Sequence, residues 1–194
     1  EKTQHHEEET MIKHLAAASL LLSASCLAIG PARAADPGII DTEILIGDVE
    51  PLTGPPALLG VAASLGHRIA IAEANAAGGI NGKKLVVISK DDGGKPADAQ
   101  TAANELVSSE NVAMLTGTFL SNIGLAVSDF ANQKKVFFLA AEPLTDAITW
   151  SKGDRYTFRL RPSNYMQAAM LVAEAAKLPA KRWATIAQIG RAHV

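Results

Sequence analysis

The sequence is short of most features that would announce a chemistry. Its 194 residues contain one cysteine, Cys26. That residue lies in a segment expected to be removed, so the mature chain forms no disulfide and relies on packing. Aromatic residues are only 5% of the chain, which leaves no platform for base stacking. The formal net charge is -2, and no basic block occurs, so nucleic acid is excluded as a partner. No stretch reads as a basic amphipathic membrane helix. Enzyme signatures are missing as well. Gly47, Gly54 and Gly60 do not fit G-x-G-x-x-G, Gly93-Gly94-Lys95 lacks the earlier glycine of a phosphate loop, and there is no G-x-S-x-G elbow. His67 is the only histidine in the native mature stretch. It falls mid-helix with no acidic partner at metal-ligand spacing and reads as a surface residue. Neither an enzyme, a cofactor nor a metal is expected.

What the chain does have is 48% hydrophobic residues, enough for one core, or for one complete lobe and part of a second. The ends are expected to be something other than fold. Residues 1–10 read as upstream, non-native or untranslated-region sequence, and the His5, His6 and Glu7–Glu9 run belongs to them rather than to a metal site. Residues 11–34 read as a secretory signal, with Lys13 and His14, an apolar run from Leu15 to Ile29, Pro31, and then Ala32-Arg33-Ala34. Cleavage is expected after Ala34, giving a periplasmic protein. The apolar run is shorter than the roughly twenty residues of a membrane span. Ser23-Ala24-Ser25 lacks the aliphatic residue that lipid modification at Cys26 requires. Residues 189–194 back-translate into a common sequencing adaptor, so native sequence is expected to end near Ala187.

Between those ends, strands and helices alternate. Strands are expected over Glu43–Asp48, Leu85–Ile88, Val112–Leu115, Val136–Leu139 and Thr157–Leu160, with another beginning over Trp183–Ala187. A helix carries a stripe of Leu58, Ala62, Leu65, Ile69 and Ala72 and ends at Gly78-Gly79. A second opens at Pro96 with Ala99, Ala103, Leu106 and Val107 on one face. Further helices are expected over Asn122–Gln133, near Asp146, and over Tyr165–Leu178. Apolar strands separated by amphipathic helices predict an α/β fold, a doubly wound parallel sheet covered on both faces. Such sheets bind ligands at the carboxyl ends of their strands, which directs attention to the loops after strands one, three and four. In the loop after strand three, Ser121 occupies an N-cap position, where its hydroxyl, the following N–H groups and the helix dipole suit a carboxylate. The simpler reading, a serine capping its own helix, competes with it. Glu142, after strand four, suits a cation or a ligand hydroxyl, against a default of an ordinary solvated carboxylate.

Several of these segments form a set. Ile46-Gly47, Pro51-Leu52-Thr53-Gly54, Ala74-Asn75-Ala76-Ala77-Gly78-Gly79-Ile80-Asn81-Gly82-Lys83, Lys90-Asp91-Asp92, Phe158-Arg159 and Arg161-Pro162 resemble the leucine/isoleucine/valine-binding-protein family of periplasmic receptors. The resemblance runs from about Ile44 to Ala187. It implies two α/β lobes closing like a Venus flytrap on a small ligand. Residues 35–163 would form the first lobe, with a crossing near Ser163–Tyr165 and a truncated start of the second over 164–188. Ser121 matches the family serine that binds a ligand carboxylate, and Asn122 follows it in the same helix start. Leu59 falls where amino-acid binders place an aromatic. Glu142 and Leu144 fall where they place a small residue and a threonine that receive the ligand's ammonium and carboxylate, and Asn164 lies at the crossing. These departures point away from a plain branched-chain amino acid. The resemblance implies a small-molecule carboxylate or amino acid as ligand and the membrane subunits of an ABC importer as partners. Its alternatives are a receptor's sensor domain and an importer receptor for aromatic carboxylates.

Overall fold

The computed structural model describes residues 36–184. The expected leader with Cys26, the His5/His6 run and residues 189–194 lie outside the described residues. So does most of the strand expected over Trp183–Ala187, while Trp183 and Ala184 themselves lie in no strand.

Five strands form one parallel sheet: β1 (Glu43–Glu50), β2 (Lys84–Asp91), β3 (Met114–Gly117), β4 (Phe138–Ala140) and β5 (Thr157–Arg159). Their spatial order is β2-β1-β3-β4-β5. The chain leaves β1 toward one edge, at β2, then returns to β1's other side at β3. The carboxyl ends of β1 and β3, where Val49 sits opposite Gly117, therefore flank the point at which the winding reverses. The expected doubly wound parallel sheet is present.

Side chains alternate across β1, and this sets the two faces. Gly47 and Val49 point to the side covered by α2 (Pro96–Ser108) and α3 (Ser121–Lys134). There Leu106, Leu115, Ile123, Val127, Phe138 and Ile148 are fully buried, each contributing about 1.5–3 kcal/mol. Ala99, Ala103 and Leu106 of α2 face this core as their spacing predicts, with Val107 packed at its margin. Strand four begins two residues later than expected. Lys135 ends α3 in a left-handed conformation, and the Val136 N–H is taken by the Ala131 carbonyl, so the ladder starts only at Phe138.

The other face differs from expectation. Helix α1 (Ala57–Ala76) turns Gly60 and Ser64 inward, while Leu58, Leu65 and Ile69 of the expected stripe are exposed. Two contacts fix this rotation. Gly60 lies against Pro51, where a Cβ would sit 2.3 Å from the Pro51 carbonyl oxygen. Ser64 and His67 hydrogen-bond Ser89 and Asp48 on the sheet below. The helix ends as predicted, with Gly78 and Gly79 both at positive φ.

Helix α4 (Asn164–Ala175) is capped by Ser163, whose hydroxyl accepts the Met166 N–H at 3.3 Å, yet none of its residues is buried. We therefore expect amide exchange to be slow in β1, β3 and α2 and fast throughout α4. Equal protection in α4 and β1 would contradict this packing.

Candidate functional site

The loops at the carboxyl edge are held by side chains reaching across from neighbouring strands. The Asp91 carboxylate accepts the Leu52 and Thr53 N–H groups at 2.8 and 3.2 Å and the Thr53 hydroxyl at 2.5 Å, tying the loop after β1 to the end of β2. Burial pushes the Asp91 carboxyl upward, but these bonds and the Gly93 N–H outweigh it and hold it below its ordinary range. Asn75 pairs through its side-chain amide with both the N–H and C=O of Leu85, and Lys83 donates to the Ile40 and Asp41 carbonyls. Arg159 donates to the Leu144 and Thr145 carbonyls, fixing the loop after β4.

At the reversal point the chain turns sharply. Gly117 and Thr118 both have positive φ, 98° and 63°. For a β-branched residue such as Thr118 this is an unusual and costly conformation. The turn carries the chain over the end of β1, where the Thr118 N–H donates to the Val49 carbonyl, and delivers Ser121 to the first turn of α3.

Ser121 is the first helical residue; Leu120 occupies the N-cap and makes no side-chain cap bond. The expected self-capping role is thus not what the hydroxyl does. Ser121 Oγ instead accepts the Thr145 N–H at 3.2 Å from the neighbouring loop. Accepting that bond leaves the hydroxyl's own proton to donate outward. Leu144 and Asn164 meet at the same place, the Asn164 N–H donating to the Leu144 carbonyl at 2.8 Å. Ser121, Leu144 and Asn164 are therefore gathered around Thr145. Glu142, in the same loop as Leu144, forms a partly exposed ion pair with Arg161 at 2.5 Å. Asn122 is exposed, and Leu59, on the first turn of α1, is 46% exposed; neither joins that hydrogen-bonded group.

A polar group that the sequence reading did not assemble lies beneath the edge. Asp48 and Glu50, two residues apart on β1, point to the α1 side and are both fully buried. Asp48 Oδ1 meets His67 Nδ1 at 3.1 Å, and Asp48 Oδ2 accepts the Ser89 hydroxyl at 3.0 Å. His67 is thus half-buried against an acidic partner from β1, correcting its reading as a surface residue. The hydrogen bond to Asp48 raises the His67 pKa. Both Glu50 carboxylate oxygens are buried without a hydrogen-bond partner. Burial, and then the charges of Asp48, Asp92 and Glu142, push the Glu50 carboxyl up to about 9. Asp92 is also pushed up by burial, against the Gly94 N–H it accepts. Two carboxylates at i and i+2 directly after the apolar run Ile44–Gly47 of the same strand are the sequence signal that marks this group.

Comparison with known proteins agrees with this architecture. Residues 43–190 match the sequence profile of a family described as periplasmic binding protein. The chain is 35% identical over 162 residues to Leu/Ile/Val-binding protein homolog 7 of Brucella suis, covering 84% of this chain and 38% of that protein. Among solved structures it is similar to the branched-chain amino acid transporter substrate-binding protein LivJ of Streptococcus pneumoniae in complex with isoleucine. That likeness has a TM-score of 0.60 and 30% identity, over 63% of this chain and 34% of the other. A solute-binding protein of an ABC transporter from Rhodopseudomonas palustris, in complex with 3,4-dihydroxybenzoic acid, matches with a TM-score of 0.54 and 26% identity, over 62% of this chain and 32% of the other. The chain thus spans about a third of the length of these relatives. With a family profile covering well over half its residues, the chain belongs to the periplasmic binding protein family.

Proposed function

We propose that the chain carries the first lobe of an extracytoplasmic solute-binding protein, which captures a small carboxylate or amino acid and delivers it to an ABC importer. The observation that carries this reading is the placement of Ser121. It lies on the first turn of α3 at the winding reversal, with its oxygen held by the Thr145 N–H. The unpaired N–H groups of a helix's first turn and its dipole favour an anion there. Isoleucine in the pneumococcal relative and dihydroxybenzoate in the Rhodopseudomonas relative share one chemical group, a carboxylate. In this reading residues 35–163 form one wall, the crossing lies near Ser163, a second lobe closes on the ligand, and the chain binds rather than catalyses. Residues 11–34 would direct it to the periplasm and Ala35 would begin the mature chain.

Aromatic carboxylates are the second reading. Glu142 is engaged by Arg161, and Leu144 and Leu59 present aliphatic surface where polar or aromatic partners of an amino acid would stand. Titration calorimetry of the full-length protein against branched-chain amino acids and hydroxybenzoates separates the two. In either case Ser121→Ala should weaken binding about tenfold or more, the cost of one hydrogen bond to a charged group. Stability should fall by only about 1 kcal/mol as the Thr145 N–H loses its acceptor. Unchanged affinity with a lowered melting temperature would reduce Ser121 to a structural role.

A further inference from the structure

We propose that Asp48, Glu50 and His67 form a binding site for one divalent transition-metal ion such as Zn2+ or Mn2+, buried between β1 and α1 and separate from the carboxylate site at Ser121. Each residue offers one ligand atom, and the three atoms lie within 4.8 Å of one another. The 3.1 Å between His67 Nδ1 and Asp48 Oδ1 is already close to the spacing of two ligands on one tetrahedral ion. A shift of about 1 Å in the third would place all three about 2 Å from a common centre.

Three observations besides the clustering point to a cation. Glu50 is fully buried and both of its carboxylate oxygens lack a partner. A proton would remove its charge but leave lone pairs unmet, whereas an ion answers both. Among the described residues no lysine or arginine pairs with Asp48 or Glu50, so two buried carboxylates have only the His67 ring between them. A dication with a neutral imidazole balances them. Finally, the space between the carboxylates is kept open by a missing side chain. A Cβ at Gly117 would sit 2.8 Å from Asp48 Oδ1 and 2.9 Å from Glu50 Oε1. Ser89, donating to Asp48 Oδ2, orients that ligand as second partners do in metal sites. One imidazole with two carboxylates favours Zn2+ or Mn2+ over the oxygen-only preference of Ca2+.

The test uses the full chain with its other four histidines, His5, His6, His14 and His193, replaced by alanine. The protein is stripped with chelator and titrated with Zn2+ and, separately, Mn2+. One ion should bind per chain, by equilibrium dialysis, and raise the melting temperature by several degrees. Glu50→Gln and His67→Ala should each weaken binding by roughly a hundredfold or more, and Ser89→Ala, which acts only through Asp48, by roughly tenfold. Should Glu50→Gln fail to fold, His67→Ala, at a half-exposed helix position, decides alone. Affinity retained without His67 would place the ion elsewhere and overturn the proposal. Failure of both ions to bind at millimolar concentration would also overturn it, leaving Glu50 neutralised by a proton. Solute titration on the stripped protein keeps this outcome distinct from the fate of the Ser121 site.

Discussion

Replacing Gly117 by alanine should lower the stability of the protein by about 2–4 kcal/mol. Two effects add. The residue sits at φ 98°, outside the regions an L side chain adopts without strain. The new methyl would also lie 2.6 Å from the Val49 carbonyl oxygen and within 3 Å of carboxylate oxygens of Asp48 and Glu50. Those neighbours cannot easily yield. The Val49 carbonyl accepts the Thr118 N–H, Asp48 is held by His67 of α1 and Ser89 of β2, and Glu50 is fully buried. The end of β3 would have to move away from β1, and with it the strained turn that sets Ser121. A drop in the denaturant midpoint with an unchanged slope is the expected reading. A loss below about 1 kcal/mol would mean that the turn relaxes freely, contradicting the close approach of the two strand ends.

The second large effect has the opposite sign. In chelator-treated protein, Glu50→Met should raise stability, by about 3 kcal/mol at pH 7. The folded-state Glu50 carboxyl lies at about 9, against 4.5 for an ordinary one, with burial as the main cause. Between those values the folded protein holds a proton that the unfolded chain has released. Stability from this group is therefore fully present below pH 4.5 and is lost as pH rises toward 9, at about 1.4 kcal/mol per pH unit. Methionine has nearly the same length, nothing to ionise and no unmet oxygens, and such replacements of buried charge by apolar groups are often stabilising. Melts across pH 5–9 on variant and parent check this: the parent should lose stability relative to the variant as pH rises. Parallel curves would show that Glu50 ionises freely in the folded protein.

How far the sequence could be read depended on where polarity sits. Helix α2 was legible because Ala99, Ala103 and Leu106 recur at helical spacing and bury against an apolar sheet face. Helix α1 has an equally regular stripe, but the face below it carries Asp48 and Ser89, so Ser64 and His67 turn inward and the leucines outward. Periodicity finds the helix there and inverts its orientation. The segments carrying the family resemblance are chiefly fasteners. Asp91 holds the Leu52-Thr53 loop, Asn75 clasps Leu85, Lys83 clasps the chain entering β1, and Arg159 holds the Leu144-Thr145 loop. They specify the frame around the candidate site and say little about its occupant. Ser121 could be found from its place in the strand-helix pattern. Its bond to Thr145, 24 residues away, and the meeting of His67 with Asp48 exist only once the sheet has formed.

The strand order also bears on how the chain comes to be folded. β1 is the first strand made and lies inside the sheet, flanked by β2 and β3, with β4 and β5 added beyond β3 in turn. Each new strand docks onto one already in place, across a single helix or turn, so no pairing waits for a distant part of the polypeptide. Sheet growth can keep pace with a chain emerging amino end first. The last additions are the weakest: β4 and β5 are three residues each, and Phe158 and Leu160 at the growing edge are more than half exposed. An edge of this kind is a template for pairing with another molecule. The interval between completing β5 and covering it is therefore when the chain is most exposed to self-association.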